Sequence, residues 1–238
     1  MQECIENGED LILRNPDPAI KKVRGYRRFL VGLDIAQGVD RTAYTIIRDE
    51  RLPQYDPNTG NQMLGKRSRT VVTAAHIAPM SYDALAQVTR NLMRDPAIAG
   101  RAYLAVDASG VGRAFCDILN TKSVQHTRVQ MTGGESENET KERGITFNNV
   151  GKVRLLSALN SAFHTGDLQI GQFEARDLLT QELESFEADI TRGGRTVLEG
   201  GTDFGHADIA VSASLAFYLS DHRSIGTAIG EAQLRGYW

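Results

Sequence analysis

The sequence predicts a mixed α/β fold, with helices on both faces of one sheet. Three consecutive strand-like segments come first, strand and helix patterns then alternate, and helical patterns dominate the last third. The spacing of apolar residues changes from about two to about 3.6 between these regions. We therefore expect an antiparallel three-strand meander that continues into parallel strands.

The three strands of the meander are apolar or β-branched segments between turn-rich stretches. They run over Phe29–Asp34, Thr42–Arg48 and Thr70–Ile77. The first turn is Gly38-Val-Asp-Arg, while residues 49–69 are polar and contain prolines and glycines that favour turns. Short connections of this kind favour antiparallel pairing.

The elements after the meander alternate in type until a long polar segment, 132–149, which is predicted to be a loop. Ser81 is a suitable N-cap for the first helix, and an apolar helical face follows it. The last helix is apolar or small nearly all round, which predicts burial. The predicted elements are a helix after Ser81, a strand at Tyr103–Val106, a helix around Phe115–Leu119, a strand at Val124–Met131, and helices at about 152–164, 174–187 and 206–219.

Composition limits the classes of function. The chain has 238 residues, 41% of them hydrophobic, and a net charge of −3, so any site for a polyanion must be a local patch. No apolar run has transmembrane length, and no membrane partner is expected. Two cysteines, Cys4 and Cys116, form neither a disulfide framework nor a zinc site, which favours a reducing cytoplasm.

Three aspartates lie at the ends of predicted elements and are the strongest candidates for chemistry. Asp34 and Asp107 each end an apolar strand, and Asp208 opens the buried last helix. Each alone has an ordinary explanation, as a solvated strand-end residue or as a first-turn carboxylate favoured by the helix dipole. Together they match what a two-metal phosphodiesterase needs, and their oxygen ligands suit Mg²⁺ or Mn²⁺.

Other motifs have competing interpretations. Gly60-Asn-Gln-Met-Leu-Gly-Lys-Arg misses the P-loop pattern because Arg67 replaces the required Ser or Thr, so we interpret it as an exposed hairpin tip. Gly110 and Gly112 suit either a tight strand-to-helix turn or a weak phosphate-binding loop. His206 is a ligand, an acid-base group or a helix-start residue without chemistry.

Three sequence blocks resemble a known family. Leu33–Tyr44, Ala105–Gly112 and Gly205–Ala216 resemble, in order and spacing, the C-terminal nuclease domain of tailed-bacteriophage large terminase subunits, which is RNase H-like. The resemblance covers about residues 27–220. It implies a linker or N-terminal extension at 1–25, an RNase H-like nuclease domain at 26–222 and a C-terminal tail at 223–238.

The resemblance also implies residue roles. Asp34, Asp107 and Asp208 match the family's catalytic, metal-binding triad, Asp40 matches a second acidic position, and Lys152 matches a lysine common before the next helix. One departure concerns the third block, where Ala207 replaces the first of two adjacent acids that the family often carries.

The implied activity is metal-dependent cleavage of concatemeric double-stranded phage DNA, with little sequence specificity, in the cytoplasm of the infected host and not in the mature virion. The implied partners are DNA, a packaging ATPase domain of the same polypeptide, the portal and the small terminase subunit. No intact ATPase motif occurs here, so the chain is expected to be an excised domain or a product without its motor. The predicted DNA contacts are Lys66, Arg67, Arg69, Lys141, Arg143 and Lys152.

Two other functions remain open from the sequence. Strand-end aspartates and glycine turns also bind Mg-nucleotide in actin-like ATPases and kinases, and nucleotide binding would distinguish these. A non-catalytic DNA-docking domain of the packaging machine is the other alternative, and a cleavage assay would decide it.

Overall fold

The computed structural model describes residues 4–14, 22–35, 41–185, 187–190, 196–199, 201–202 and 205–223, with the backbone alone between 187 and 206. The helices are α1 Tyr82–Met93, α2 Gly112–Thr121, α3 Lys152–His164, α4 Arg176–Glu184 and α5 Asp208–His222. The strands are β1 Cys4–Asn7, β2 Asp10–Leu13, β3 Arg24–Asp34, β4 Ala43–Arg51, β5 Pro53–Tyr55, β6 Gln62–Leu64, β7 Ser68–His76, β8 Ala102–Asp107, β9 Thr127–Thr132, β10 Glu137–Glu142, β11 Ile145–Gly151, β12 Leu168–Ile170, β13 Glu187–Ile190, β14 Thr196–Glu199, β15 Gly201–Thr202 and β16 Gly205–His206.

One mixed sheet of ten strands organises the chain. Its order is β10-β11-β9-β8-β3-β4-β7-β12, and the β1–β2 hairpin joins it through pairing of β2 with β3. Strands β3, β4 and β7 form the predicted antiparallel meander. Strands β3, β8, β9 and β11 run parallel, so their carboxyl ends meet at one edge of the sheet. The predicted fold class is confirmed.

Helices cover both faces of this sheet, because the central strands are apolar on both sides. Leu30 of β3 belongs to the core beneath α3, α4 and α5. The next residue, Val31, belongs to the opposite core, together with residues of α1 and α2 such as Leu85 and Phe115. Among the described residues, no helix is both long and apolar enough to cross a bilayer.

Helix α5 lies directly on the centre of the sheet, and its sides are buried as predicted. It approaches β3 so closely at Gly32 that a Cβ there would collide with the carbonyl oxygen of Ser212 and lie 2.6 Å from the backbone nitrogen of Ala216. The Thr45 hydroxyl of β4 is 2.7 Å from the Ser212 hydroxyl. The backbone of α5 therefore has one position along β3.

A buried group of charges holds the carboxyl end of α5. Arg28 donates to the carbonyl oxygens of Ser220 and Arg223 at 3.0 and 3.1 Å and to Asp49 at 2.9 Å. Arg67 donates twice to the same carboxylate, both at 2.8 Å. Burial acts to raise the pKa of Asp49, but the hydrogen bonds and charges of the two arginines outweigh it and lower that pKa.

Two segments differ from the sequence-based expectations. Part of the predicted linker or N-terminal extension at 1–25 forms the β1–β2 hairpin, which pairs with β3. The predicted loop at 132–149 contains β10 and most of β11, paired as an antiparallel hairpin. Strand β10 is polar because it lies exposed at the sheet edge, so it lacks the apolar alternation that identifies a half-buried strand.

The close contact at Gly32 yields a stability prediction. Gly32→Ala should destabilise the protein by about 1–3 kcal/mol, because the new methyl group must displace the backbone of α5. Gly133→Ala is the matched control, since a Cβ there meets nothing within 4 Å. Chemical denaturation of both variants measures the difference, and equal stability would show that α5 adjusts without cost.

Candidate metal centre

Two aspartates end adjacent parallel strands on the same face of the sheet. Leu33 of β3 pairs with Val106 of β8, so Asp34 and Asp107 occupy the next position of each strand. Successive side chains of a strand alternate between faces. Gly32, two residues before Asp34, contacts α5, and both carboxylates therefore lie on the α5 face.

The third aspartate reaches the same edge because α5 runs antiparallel to β3. Ser220 lies over Arg28 and Ser212 lies over Gly32. From Ser212 back to Asp208 the helix rises about 6 Å, and two further residues of β3 extend about 6.6 Å. Asp208 therefore lies at the level of the end of β3, and the fold brings the three predicted aspartates to one edge.

Asp107 is buried and only partly compensated. Asp107 is 8% exposed, and its Oδ1 accepts the backbone N–H of Ser109 at 2.8 Å. Burial raises the pKa of Asp107, while the Ser109 hydrogen bonds and the nearby charge of Lys152 act in the opposite direction. A carboxylate placed in this way gains from a neighbouring cation.

The glycines after Asp107 form a tight turn. A Cβ at Gly112 would collide with the carbonyl oxygen of Asp107, and Gly110 has a φ of +51°. The Ser109 hydroxyl accepts the N–H of Met131 at 2.9 Å, which ties this turn to β9. The turn therefore fixes where Asp107 lies, which accounts for both glycines.

Asp208 has two neighbours that the sequence did not identify. Its Oδ2 accepts the backbone N–H of Arg41 at 3.1 Å and lies 3.8 Å from Nε2 of His76. Burial lowers the pKa of His76; Asp208 acts to raise it and Arg41 acts to lower it. His76 ends β7 in a stretch of small and β-branched residues, and no sequence signal set it apart from other strand-end residues.

Glu182 is a second residue that the sequence interpretation missed. It is 1% exposed, and its Oε2 accepts the N–H of Ala210, in the first turn of α5, at 2.8 Å. Burial raises the pKa of Glu182 to about 7, and the charge of Asp208 adds to the increase. The three-residue spacing from Leu179 could have placed this acid on the buried face of α4.

The donor chemistry of this edge fits a divalent cation. Asp107 and Asp208 are buried carboxylates, and Nε2 of His76 is a buried atom without a hydrogen-bond partner in the described part of the chain. Among the described residues, no three His, Cys, Asp or Glu side chains already form a group that could hold an ion. Mg²⁺ commonly uses one or two carboxylates and completes its shell with water and phosphate oxygens. Asp40 and the side chain of His206 lie outside what the structure describes.

The predicted cationic hairpin tip lies at the other end of the meander. Register pairs Asp34 with Ala43 and Ala43 with His76, whereas Arg28 pairs with Asp49 and Asp49 with Arg69. The positions of Asp34 and Arg28 are six residues apart along β3, a distance of roughly 20 Å. The structure therefore does not bring Lys66, Arg67 or Arg69 to the carboxylates.

Of the three cationic residues of that tip, only Lys66 is exposed as expected. Arg69 is 5% exposed and forms ion pairs with Asp221, at 2.6 Å, and with Asp167. Arg67 is bound to Asp49. Exposure was wrongly predicted for Arg69 because its partners come from distant parts of the sequence.

The other predicted contacts are also separated from one another. Lys141 lies near the end of the exposed strand β10, and Arg143 lies in the turn between β10 and β11 with a φ of +50°. Lys152 follows the opposite end of β11, and its charge acts on Asp107. Of the predicted DNA contacts, Lys152 is the one placed beside the carboxylates.

Solved structures with the same architecture include the nuclease domains of phage large terminases. The large terminase nuclease from thermophilic phage G20c matches with a TM-score of 0.54 and 18% identity over 92% of each chain. The same nuclease with bound magnesium matches with a TM-score of 0.54 and 18% identity over 92% of this chain and 91% of that one. The large terminase nuclease domain of Thermus phage P74-26 has a TM-score of 0.54 and 17% identity over 92% of this chain and 89% of that one. No family profile and no curated protein matches the chain. The chain therefore has the fold of large terminase nuclease domains.

Proposed function

We propose that this chain is the divalent-metal-dependent endodeoxyribonuclease of a viral DNA-packaging terminase, cutting concatemeric double-stranded DNA by phosphodiester hydrolysis. The observation that carries the proposal is that Asp34, Asp107 and Asp208 lie at the same edge of the sheet, on the α5 face, although their side chains do not form a closed ligand group. These residues come from two strands and a helix far apart in sequence. Asp107 and Asp208 are buried, whereas aspartates that served only as solvated ends of a strand or helix would be exposed.

The charge balance of the sheet supports a cation at this edge. At the other end of α5, arginines lower the pKa of the buried Asp49. Beside Asp34 and Asp208, burial raises the pKa of Asp107, and the lysine that acts on it only partly compensates. The same sheet therefore neutralises one buried carboxylate with its own side chains and leaves the other to gain from an added positive charge.

The proposed ligands are Asp34, Asp107 and Asp208, with Asp40 as a further candidate. The ions are Mg²⁺ or Mn²⁺, in a two-metal site. Bound there, they would supply an activated water and stabilise the leaving oxygen. The G20c nuclease of the same fold was solved with magnesium and with cobalt, which supports a divalent site here.

The protein's own residues position these groups. Ser109 orients the Asp107 carboxylate, and the Arg41 backbone orients Asp208. Lys152 is exposed beside Asp107, where its ammonium group can contact a DNA phosphate. Lys66, Lys141 and Arg143 are exposed farther away and remain candidate contacts to flanking DNA, whereas the ion pairs of Arg67 and Arg69 make them the weakest of the predicted set.

The proposal includes the setting of the reaction. Backbone contacts by exposed cations would give little sequence specificity. The proposed partners are double-stranded DNA, a packaging ATPase domain of the same polypeptide, the portal and the small terminase subunit. The proposed location is the cytoplasm of the infected host cell.

The aspartates provide the first test. Asp34→Asn, Asp107→Asn and Asp208→Asn should each reduce plasmid cleavage by more than about 100-fold, because each removes a charged metal ligand. Thermal stability in EDTA should stay equal or increase, since a crowded negative charge is lost. Asp177→Asn, at an exposed carboxylate of α4, is the matched control and should cut normally. Near-normal cutting by any of the three would remove that residue from the site.

Metal dependence is the second test. Plasmid cleavage should occur with Mg²⁺ or Mn²⁺ and stop in EDTA. Ca²⁺ should bind and support little turnover, because its longer and more variable coordination misplaces the attacking water. Full cleavage in EDTA would refute the proposed chemistry.

Lys152 provides the third test. Lys152→Ala should weaken DNA binding for all sequences alike and lower the salt slope of binding by about one unit, as expected when one phosphate contact is lost. Lys66→Ala makes the same substitution at an exposed lysine far from the carboxylates. Binding across a salt series measures the slope for each variant. Cleavage efficiency, measured separately, should fall more for Lys152→Ala than for Lys66→Ala. Identical behaviour of the two variants would contradict a specific role for Lys152.

A further inference from the structure

We propose that His76 is an additional metal-binding residue, whose Nε2 binds the same divalent ion as Asp208. The inference rests on the proposed metal-dependent function and adds a nitrogen donor to an otherwise carboxylate site. It defines a mixed oxygen and nitrogen centre, which would favour Mn²⁺ over Mg²⁺.

The sheet holds His76 at the carboxylate edge. His76 is the last residue of β7 and pairs with Ala43, which in turn pairs with Asp34. The N–H of Ile77 donates to the carbonyl oxygen of Thr42 at 2.8 Å, so the backbone on both sides of the pairing is fixed. The imidazole therefore belongs to the rigid edge that carries the first aspartate.

The separation of the two side chains fits a shared ion. Nε2 of His76 lies 3.8 Å from Oδ2 of Asp208. This is too long for a hydrogen bond. Two atoms that bind one ion at about 2.1 Å each can be at most about 4.2 Å apart. A cation between them therefore requires only a small side-chain adjustment.

The hydrogen-bonding state of the His76 imidazole also supports a bound ion. Nε2 of His76 is buried and has no hydrogen-bond partner within the described ranges. Buried polar atoms in native proteins are nearly always paired, and an unpaired one requires an explanation such as an ion. The side chain as a whole keeps 23% of its surface exposed, so the imidazole lies near the protein surface and not deep in the core.

An imidazole ligand changes which ions the site prefers. Carboxylate and water suit Mg²⁺ and Mn²⁺ alike, whereas imidazole suits transition-metal ions. Two protein donors, with water and a phosphate oxygen, are enough for a catalytic ion, so the pair does not need a third side chain from the described residues. Loss of His76 should therefore weaken Mn²⁺ binding more than Mg²⁺ binding.

Pulsed electron paramagnetic resonance of the Mn²⁺-loaded chain without DNA tests the proposal directly, because it detects a ligand nitrogen on Mn²⁺. The wild type should show nitrogen modulation, and His76→Ala should lose it. Calorimetry should show that Mn²⁺ affinity falls by about 10-fold or more in this variant. His164→Ala, at an exposed histidine of α3, is the matched control and should change neither signal.

Several outcomes would overturn the proposal. One is a wild-type spectrum without nitrogen modulation; another is modulation that persists in His76→Ala. Loss of the signal in His206→Ala but not in His76→Ala would assign the imidazole to His206 instead. His76→Asn keeps a polar side chain without an imidazole and gives the same test if the alanine variant fails to fold.

The result is separable from the proposed function. If the wild type binds no Mn²⁺ at all, the metal-dependent nuclease proposal fails together with this inference. If Mn²⁺ binds and cleavage depends on it, but no nitrogen is detected, only the role of His76 is refuted.

Discussion

The contact between the backbone of α5 and β3 at Gly32 is the constraint on which the candidate site depends. A helix usually packs on a sheet through side chains, which can adjust. Here the carbonyl oxygen of Ser212 occupies the space that a Cβ of residue 32 would need. The axial position of α5 is therefore set by main-chain contact, and with it the height of Asp208 above the sheet. Asp34 and Asp107 are set by the strands themselves, so the position of Asp208 relative to them depends on this one close approach.

A helix buried on nearly all sides cannot satisfy its terminal backbone groups with water. In this fold other elements supply the partners for both ends of α5. Glu182 of α4 accepts an N–H of the first turn, while Arg28 of β3 donates to the carbonyl oxygens of Ser220, in the last turn, and of Arg223, which follows the helix. Both are ionisable residues inside the core, and burying either without a partner would be costly. Their roles at the helix ends explain why the core contains them.

The two ends of α5 differ in their electrostatics, and this difference separates structure from chemistry. Around Asp49, two arginines make a compensated network that holds β3, β4 and the end of α5 together. Around Asp208, the neighbours include a backbone N–H, a buried acid and an imidazole at 3.8 Å. Burial raises the pKa of the nearby Asp107, so an added cation would stabilise the carboxylates at this second end, as the proposed phosphodiester cleavage requires.

The sequence by itself determined the local elements and the candidate aspartates. The meander, the buried last helix and the positions of Asp34 and Asp107 at strand ends follow from periodicity, which is a local property. Only the tertiary structure decided which charged side chains meet. Arg69 is buried against Asp221 and Asp167, while His76 and Glu182 reach Asp208 or its helix from other elements. The polar strand β10 was not predicted, because an exposed edge strand lacks the alternating apolar residues by which strands are identified in a sequence. Pairings of this kind span large sequence separations, and no local pattern encodes the sheet register and helix position that create them.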